Sequence, residues 1–471
     1  MAKYLDPKAD VTFKKVFGEH KNLGGTGRFD EGEVAPATPR SGFLLCKRLA
    51  VVGVCGALFA AVAEELPIMG YSGFSATSAN LETRYREAKE CGLTALMQGF
   101  GNEAQVRKCL DTAQRVGIKL LLSNRKLFEA DGSRLAAAVK DHPALMAYYV
   151  RDEPSVKDFD NLGRAVRLIQ TVDSVHPSIV NWFGRVNRMQ YWYKVPTFEE
   201  YIGQFIEKVP TPILSFDQYP VLNPGPFPTA TFRPATGDCH LQTNWYHSLE
   251  TVLDTSKRTG KPFWAFAISC ALRHMVPNDY PIAAEGHLRL QQYSNLAYGA
   301  QGLWYYNYCA DPKDKGKMFS QGRPLASDGK RSTVYERMRR VNRELQVRAF
   351  VFLGAKIEKV RHTGVPWPGE GTRLSGEFVP PGTIPFAPGD LPTWVKSLET
   401  PDGGAVVSRL TNGGKEYLVV VNRSPDKELT LKLNLAPGVK YVRSDGTISD
   451  AALYTSEYWL DPGMAEIFQA P

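Results

Sequence analysis

Short apolar runs alternate with amphipathic segments from Pro67 to Phe352. The runs contain few polar positions, which is typical of parallel strands that are buried on both faces. The segments between them have helical periodicity, and Gly92 and Gly117 stand where two of these helices are expected to end. We therefore predict eight strands: PIMGYSGF (67–74), LTALMQG (93–99), IKLLLSN (118–124), ALMAYYVRDEP (144–154), SIVNWFG (178–184), PILSFDQYP (212–220), KPFWAFAIS (261–269) and GLWYYNY (302–308).

Eight strand–helix units over roughly 285 residues match the size of an α/β (β/α)₈ barrel. We assign this barrel to residues 64–352, with residues 331–352 as its last helix. The runner-up is a doubly wound open sheet, but no glycine-rich phosphate loop follows the first strand.

The pattern changes after the barrel. Residues 363–394 are rich in proline and glycine, and short alternating strands follow. Asn412-Gly413-Gly414 is a hairpin turn signal between two of them. We predict a C-terminal antiparallel β-sandwich domain over residues 353–471, with the strands AVVSRL (405–410), EYLVVVNR (416–423) and ELTLKLNL (428–435).

The N-terminal region has a different character. LLCKRLAVVGVCGALFAAVA (44–63) has a basic start, an apolar run and an A-x-A end, the pattern of a secretory signal peptide. It predicts a periplasmic or secreted protein, which would contact a membrane only if this segment stayed uncleaved. MAKYLDPKADVTFKKVFGEHKN (1–22) resembles the opening of the Rpn family of transposase-associated nucleases. We interpret residues 1–43 as a fused or disordered leader.

The charge distribution and the cysteine content argue against several classes of function. The net charge is +8, but the basic residues are dispersed, and the densest group (331–348) has the spacing of the solvated face of a helix. This argues against a nucleic-acid groove. The 7 cysteines include no CxxC pair and no histidine at metal spacing, which argues against a zinc site and a disulfide framework. No metal or organic cofactor is implied.

In a barrel of this kind, function gathers at the C-terminal ends of the strands. Acids, amides and aromatic residues dominate those ends, and this combination suits a carbohydrate substrate, because amides and acids bind hydroxyls while aromatic faces stack on sugar rings. Trp245, in the long loop after the sixth strand, is a further stacking candidate. The candidates at the strand ends are Tyr71, Gln98, Asn124, Arg151, Asp152, Glu153, Asn181, Trp182, Asp217, Tyr219, Trp264, Trp304, Tyr306 and Asn307.

Glycoside hydrolysis needs two carboxyl groups, one of which protonates the leaving oxygen. Glu153 is the candidate for this acid, since burial and a neighbouring acid would raise its pKa. Asp152 is that neighbour, or binds a hydroxyl, and Arg151 is placed to keep it ionised. The structural alternative is that Asp152 and Glu153 only begin a helix, where acids suit the helix dipole and proline suits the first turn.

Three motifs carry a family resemblance. The acid–Glu–Pro at Asp152–Pro154 resembles the Asn-Glu-Pro of the clan A glycoside hydrolases, in which the glutamate is the acid/base. SFDQYP (215–220) resembles the end of strand six in the family 42 β-galactosidases, and EGHLRLQQYSNLAYGAQGLWYYNY (285–308) is similar to their seventh helix and eighth strand. The resemblance covers roughly residues 67–350 and implies a barrel glycosidase with a C-terminal β domain.

The chain departs from this family in two places. Asp152 replaces the asparagine before the acid/base, and strand seven, FWAFAIS, ends without the acid that clan A has there. Three interpretations follow. Asp217 is the second carboxylate, or Glu285 or Asp279 takes the missing position, or the barrel binds carbohydrate without cleaving it.

Overall fold

The computed structural model describes most of the chain after the N-terminal region. The predicted leader, the signal-like segment and Asp279 lie outside the described residues. The described residues are 65–71, 74–128, 132–185, 189–223, 239–242, 244–272, 280–309, 322–326, 328–364, 373–374, 377–378, 384–451 and 456–471.

Eight parallel strands close into a barrel in the order β1-β8-β7-β6-β5-β4-β3-β2. This confirms the predicted (β/α)₈ fold. The strands are β1 (Ile68–Gly70), β2 (Ala95–Gly99), β3 (Lys119–Ser123), β4 (Leu145–Asp152), β5 (Ser178–Phe183), β6 (Leu214–Asp217), β7 (Phe263–Ile268) and β8 (Gly302–Tyr306).

Helices surround the barrel and begin and end where local chemistry requires. In α2, for example, the Asn102 side chain accepts the N–H of Gln105, and Gly117 ends the helix with a φ of 75°. None of the described helices is long and apolar enough to cross a membrane. The helices are α1 (Leu81–Glu90), α2 (Glu103–Val116), α3 (Gly132–Val139), α4 (Phe159–Val172), α5 (Met189–Trp192), α6 (Phe198–Lys208), α7 (Trp245–Thr259), α8 (Glu285–Ala297), α9 (Thr333–Val347) and α10 (Ala349–Phe352).

The C-terminal region forms two antiparallel sheets. The larger has the order β9-β11-β12-β17-β14-β15 and the smaller the order β10-β13-β16. Gly413 and Gly414, with φ values of 55° and 76°, make the predicted two-residue turn between β11 and β12. The strands are β9 (Lys356–His362), β10 (Val395–Glu399), β11 (Ala405–Asn412), β12 (Lys415–Asn422), β13 (Leu429–Leu435), β14 (Lys440–Val442), β15 (Ile448–Asp450), β16 (Glu457–Leu460) and β17 (Ala465–Gln469).

The two sheets pack as a sandwich, and the larger one also packs on the barrel. Val407 and Val420 belong to the core between the sheets, whereas their neighbours Val406 and Val419 belong to the core of the barrel helices. Successive side chains of a strand point to opposite faces, so β11 and β12 are buried on both. This confirms the predicted sandwich and explains why its strands are so apolar.

A separate cluster fills the inside of the barrel. It contains Ile179, Trp264, Phe266 and Trp304 among others, and all four are at least nine-tenths buried. The Phe266 and Trp304 rings are stacked with centroids 4.9 Å apart. The inward-facing residues at the strand ends pack on this layer.

Candidate active site

A β-bulge near the end of β4 sets the direction of the acidic residues. Tyr149 pairs with Ile179 of β5, and Asp152 pairs with Asn181. Between these two pairs β4 contains one residue more than β5. A bulge of one residue reverses which side chains face inward beyond it. Tyr149 and Asp152 therefore both face the barrel mouth. The Arg151 guanidinium instead lies 5.7 Å from the centre of the Phe128 ring. The expectation that Arg151 pairs with Asp152 is wrong.

Asp152 accepts hydrogen bonds from three neutral groups. The donors are the hydroxyl of Tyr71 at 2.7 Å, the hydroxyl of Tyr149 at 2.6 Å and the side-chain amide of Asn181 at 3.2 Å. Together they hold the carboxylate in one orientation and satisfy its charge without a cation. Asp152 remains exposed to solvent at the mouth.

Asn181 connects this carboxylate to the next one. Its amide nitrogen also donates to Asp217 at 3.1 Å, while its oxygen accepts a hydrogen bond from the Ser215 hydroxyl at 2.9 Å. The Ser215 contact fixes the orientation of the amide, so that its N–H groups point at both acids. Asp217, at the end of β6, also accepts from the Tyr219 hydroxyl at 3.0 Å.

Glu153 lies between these groups. Its backbone N–H donates to the Asn181 carbonyl at 2.9 Å, and its carboxyl lies near enough to Asp217 to be affected by that charge. Burial, reinforced by the charges of Asp217 and Asp152, raises the pKa of Glu153 well above its usual value. Burial and Asp152 also raise the pKa of Asp217, but hydrogen bonds from Tyr219 and Asn181 oppose this.

The different surroundings of the two acids decide where the proton of the pair resides. Asp217 has two neutral donors that stabilise its charged form, and Glu153 has no such donor to its carboxyl among the described residues. Both pKa values are raised, that of Asp217 to about 8, and the two donors to Asp217 favour the proton on Glu153 when the pair shares one. Pairs of acids whose surroundings push their pKa values apart are the usual source of a general acid.

The backbone of Glu153 is in the left-handed region, with φ at 42°. A non-glycine residue in such a region costs roughly 1–3 kcal/mol and is found mostly at functional sites. The glutamate does not serve as a helix start. Ser155 and Asp158 make the capping contacts of the 3₁₀ turn that follows, at 2.9 and 3.1 Å, and α4 begins only at Phe159. The helix-start alternative for Asp152 and Glu153 is therefore wrong.

Tyrosine rings form the wall beside the acids. Tyr219 and Tyr306 are stacked with centroids 5.6 Å apart, and Tyr71 lies 5.3 Å from Tyr306. Tyr280 contacts Tyr219 edge-on at 5.8 Å. Of these rings, Tyr71, Tyr219 and Tyr306 are partly exposed and so accessible to a ligand.

Several predicted residues lie elsewhere. Gln98 is buried and bonded to Tyr85 and to the Phe74 carbonyl, and Asn124 caps a 3₁₀ turn through the N–H of Lys126 at 2.8 Å. Both amides are therefore structural. Asn307 is buried directly after β8, and its Oδ1 has no hydrogen-bond partner among the described residues.

The predicted tryptophan platforms are also wrong, because all four rings are buried. Trp182 follows the inward-facing Asn181, so it points outward and packs on Phe205 at 4.9 Å. Trp245 is 0% exposed in the first turn of α7. Trp264 and Trp304 belong to the packed barrel interior.

Glu285 is not the second carboxylate. It lies in the first turn of α8 and forms ion pairs with Arg289 at 2.8 Å and Arg340 at 2.6 Å. These arginines belong to the outer helices α8 and α9, which carry the acid away from the mouth. As the sequence predicts, the described part of the loop after β7 begins with Ser269 and Cys270 and contains no acid.

Tyr149 and Tyr280 are mouth residues that we did not predict. Tyr149 stands three positions before Asp152, and in a regular strand these two side chains would face opposite sides. Only the bulge brings them together, and no motif marks it. Tyr280 lies far from any strand end in the sequence, and we find no sequence signal for it.

Outside the mouth, Cys239, His287 and Asp426 form the one group of potential metal ligands among the described residues. Residues distant in sequence meet here, which an analysis of local spacing misses. The His287 Nε2 lies 3.1 Å from Asp426, and its Nδ1 accepts the N–H of Ala284 at 3.3 Å. A metal on Nε2 would require a proton on Nδ1, where this N–H already points. The group is therefore better explained as a set of hydrogen bonds that joins the barrel to the C-terminal domain than as a metal site.

No family model and no curated protein matches the chain. Among solved structures, a glycoside hydrolase family 5 protein from Bacteroides vulgatus has a TM-score of 0.47 at 11% identity, over 85% of this chain and 88% of that one. A glucosidase from Croceicoccus marinus has a TM-score of 0.40 at 10% identity, over 84% and 81%. An endoglucanase from Pseudomonas stutzeri in complex with cellobiose has a TM-score of 0.38 at 14% identity, over 59% and 92%. Likeness at this level identifies no activity.

Proposed function

We propose that the chain is a glycoside hydrolase that cleaves O-glycosidic bonds, with Glu153 as the general acid and Asp217 as the second carboxylate. The observation that carries this proposal is the convergence of the two acids at the mouth of the barrel, where Asn181 binds the Asp217 carboxylate through its amide and the Glu153 N–H through its carbonyl. A protonated, partly exposed carboxyl at a strand end is what a glycosidic oxygen needs when it departs.

In the proposed reaction, Glu153 gives its proton to the glycosidic oxygen while the bond to the anomeric carbon breaks. Asp217, ionised and fixed by Tyr219 and Asn181, attacks that carbon and forms a glycosyl ester. Water then hydrolyses the ester, and the Glu153 carboxylate takes the proton of the water. The partly exposed rings of Tyr71, Tyr219 and Tyr306 provide the stacking surface for the sugar.

The separation of the two acids bears on the stereochemistry. Retaining enzymes hold their carboxyls about 5–5.5 Å apart and inverting enzymes about 6.5–9.5 Å apart. In the free protein the charge of Asp217 raises the pKa of Glu153, which is in keeping with a close pair of acids. A close pair favours retention, and we therefore propose a retaining mechanism. The likeness to family 42 and export through residues 44–63 likewise stay proposals.

The test compares Glu153→Gln with the wild type on glycosides of one sugar that carry good or poor leaving groups. Loss of a general acid slows cleavage by roughly 10²–10⁴-fold, and less when the leaving oxygen needs little protonation. We expect a large loss on alkyl or sugar leaving groups and a small loss on nitrophenol. Asp217→Asn should slow both substrate types, because it removes the attacking group.

Glu285→Gln is the matched control, because it makes the same change in an acid that lies outside the mouth. It should keep wild-type kinetics. Equal loss on all leaving groups in Glu153→Gln would show that Glu153 is not the acid. If the wild type and Glu153→Gln bind a glycan and neither cleaves any glycoside of a broad panel, the protein is a carbohydrate-binding barrel and the proposal fails.

A further inference from the structure

The backbone at Glu153 has a conformation that its own sequence disfavours. A residue with a side chain favours a negative φ, and the proline at 154 restricts the residue before it to extended backbone, where φ is also negative. The structure nevertheless places Glu153 at a φ of 42°. Such strain persists only where the surrounding contacts over-determine the local backbone. This turn therefore needs contacts that hold it in place.

Hydrogen bonds fix the backbone before and after the Glu153 side chain. The backbone N–H of Glu153 donates to the Asn181 carbonyl of β5 at 2.9 Å. The carbonyl of the next residue, Pro154, accepts a hydrogen bond from the Tyr201 hydroxyl at 2.7 Å. The first contact belongs to the barrel sheet, whereas the second reaches the turn from a helix outside the sheet.

Tyr201 lies in the first turn of α6, and its ring is enclosed by other rings. The ring centre lies 5.1 Å from that of Phe159, the first residue of α4, 5.5 Å from that of Tyr193 and 6.5 Å from that of Phe198. Tyr201 is 1% exposed, so a substrate in the mouth does not contact it. The packing of the ring fixes the position of the hydroxyl, and the hydroxyl in turn fixes the Pro154 carbonyl.

The Tyr201 hydroxyl is a permanent donor. Burial raises its pKa well above the usual tyrosine value, and the charge of Glu153 raises this pKa further. The hydroxyl therefore keeps its proton across neutral pH and donates it to the Pro154 carbonyl, which can only accept. The influence of Glu153 also shows that Tyr201 lies close behind the acid.

We propose that Tyr201 is a positioning residue for the general acid. By holding the Pro154 carbonyl, its hydroxyl keeps the strained turn in place and the Glu153 carboxyl directed at the leaving oxygen. This inference rests on the proposed glycosidase function and adds a residue that acts through the backbone. Without the hydroxyl, the turn relaxes toward the negative φ that its sequence favours and carries the carboxyl with it. A shift of about 1 Å at a reacting group can cost about 100-fold in rate.

The test is Tyr201→Phe, which removes one hydroxyl and keeps the packed ring. The full chain is assayed on an alkyl and a nitrophenyl glycoside of one sugar that the wild type cleaves. The loss of one buried hydrogen bond corresponds to about a tenfold effect, and we expect this loss in kcat on the alkyl glycoside, whose leaving oxygen needs the proton. The nitrophenyl glycoside needs little protonation, so its kcat should fall by less than about twofold. KM should be unchanged for both, because Tyr201 does not contact the substrate.

A double-mutant cycle separates action through the acid from general damage. If Tyr201 acts through Glu153, Tyr201→Phe should cause no further loss in a Glu153→Gln background, whereas independent effects would multiply. All rates are expressed per folded molecule, with the folded fraction taken from an unfolding curve of each variant. A less stable variant therefore still gives a result.

The matched control is Tyr148→Phe. It removes a buried hydroxyl from β4 itself, where Tyr148 donates to Asp173 at 2.6 Å and packs in the core between the barrel and its helices. This variant loses a hydrogen bond of the same kind, but one that does not hold the turn after Asp152. It should keep the wild-type ratio of the two rates.

The outcomes distinguish this inference from the proposed function. No loss in Tyr201→Phe, an equal loss on both glycosides, or a full further loss in the Glu153→Gln background overturns the positioning role of Tyr201. The glycosidase proposal then still stands if Glu153→Gln shows its loss on the alkyl glycoside. If Glu153→Gln loses activity equally on both glycosides, the assignment of the acid fails, and the role of Tyr201 fails with it.

Discussion

Acids in two regions of this protein have opposite surroundings. At the mouth, Asp152, Glu153 and Asp217 contact tyrosines and an amide. Between the barrel and the sandwich, Glu344 contacts arginines: Arg289 at 3.1 Å and Arg348 at 3.5 Å. The same residue types therefore have different partners in the two regions. The difference is that Glu344 pairs with cations, whereas the described hydrogen bonds to the mouth acids come from neutral groups.

The arginine-rich group is fully satisfied. Arg348 is 0% exposed and donates to the hydroxyl of Tyr293 and the carbonyl of Ala465, each at 2.9 Å, and to the Arg443 carbonyl at 2.8 Å. It ties α9 to strands of the larger sheet and to the loop after β14. At the mouth, by contrast, burial and neighbouring acids raise the pKa values of Glu153 and Asp217, and such shifts are common at functional sites.

The largest effect on stability is expected on the arginine side of this comparison. Arg348→Met leaves Glu344 and the carbonyls of Val442, Arg443 and Ala465 with fewer partners. Removing one member of a buried pair costs about 3–5 kcal/mol. Urea unfolding should show this loss in the free energy of unfolding. Activity per folded molecule should be unchanged. A loss below about 1 kcal/mol would place this group among ordinary surface pairs.

At the mouth, a substitution is expected to increase the free energy of unfolding. The pKa of Glu153 is raised in the folded state, so the free energy of unfolding is highest below the ordinary carboxyl pKa and falls as pH rises through the raised value. Glutamine cannot lose a proton, and each unit of raised pKa corresponds to about 1.4 kcal/mol. Glu153→Gln should therefore gain stability over the wild type as pH rises above the ordinary glutamate pKa. Parallel stability curves for the two proteins would mean that Glu153 titrates normally.

A smaller effect is expected in the pH dependence of catalysis. In the proposed mechanism Glu153 must be protonated, so we expect kcat/KM to fall on the alkaline side as this group ionises. Asp217→Asn removes a negative neighbour and should lower the pKa of Glu153, moving the alkaline limb of the residual activity down by roughly one pH unit. Glu285→Gln should leave the limb in place. A limb that does not move in Asp217→Asn would show that Asp217 does not set the protonation of Glu153.

The strands of the barrel could be predicted closely from the sequence. The seventh was expected at 261–269 and lies at Phe263–Ile268. Burial on both faces leaves an uninterrupted apolar run, and such a run marks where a strand is. For the same reason it does not show which residues face inward. Trp182 and Trp304 were therefore assigned to the mouth, although the first faces the helices and the second the barrel interior.

The acids of the site were predictable for a different reason. Asp152, Glu153 and Asp217 stand at strand ends, where the topology of a barrel gathers polar residues whatever their exact orientation. Their partners were harder to predict. Tyr149 faces the mouth only because of the bulge in β4. Glu285 lies outside the mouth because it forms ion pairs with Arg289 and Arg340 on the outer helices. Both depend on side-chain directions that a single sequence does not specify.

The bulge in β4 also decides the sign of the charge at the centre of the protein. If the strand continued straight from Tyr149, the place opposite Asn181 would belong to Arg151, and Asp152 would point toward the helices. The same sequence would then place the Arg151 guanidinium in the barrel mouth. Its positive charge would keep the adjacent Glu153 ionised and unable to donate a proton. One extra residue in β4 thus separates a mouth lined by a carboxylate, as the proposed function requires, from a mouth lined by a guanidinium.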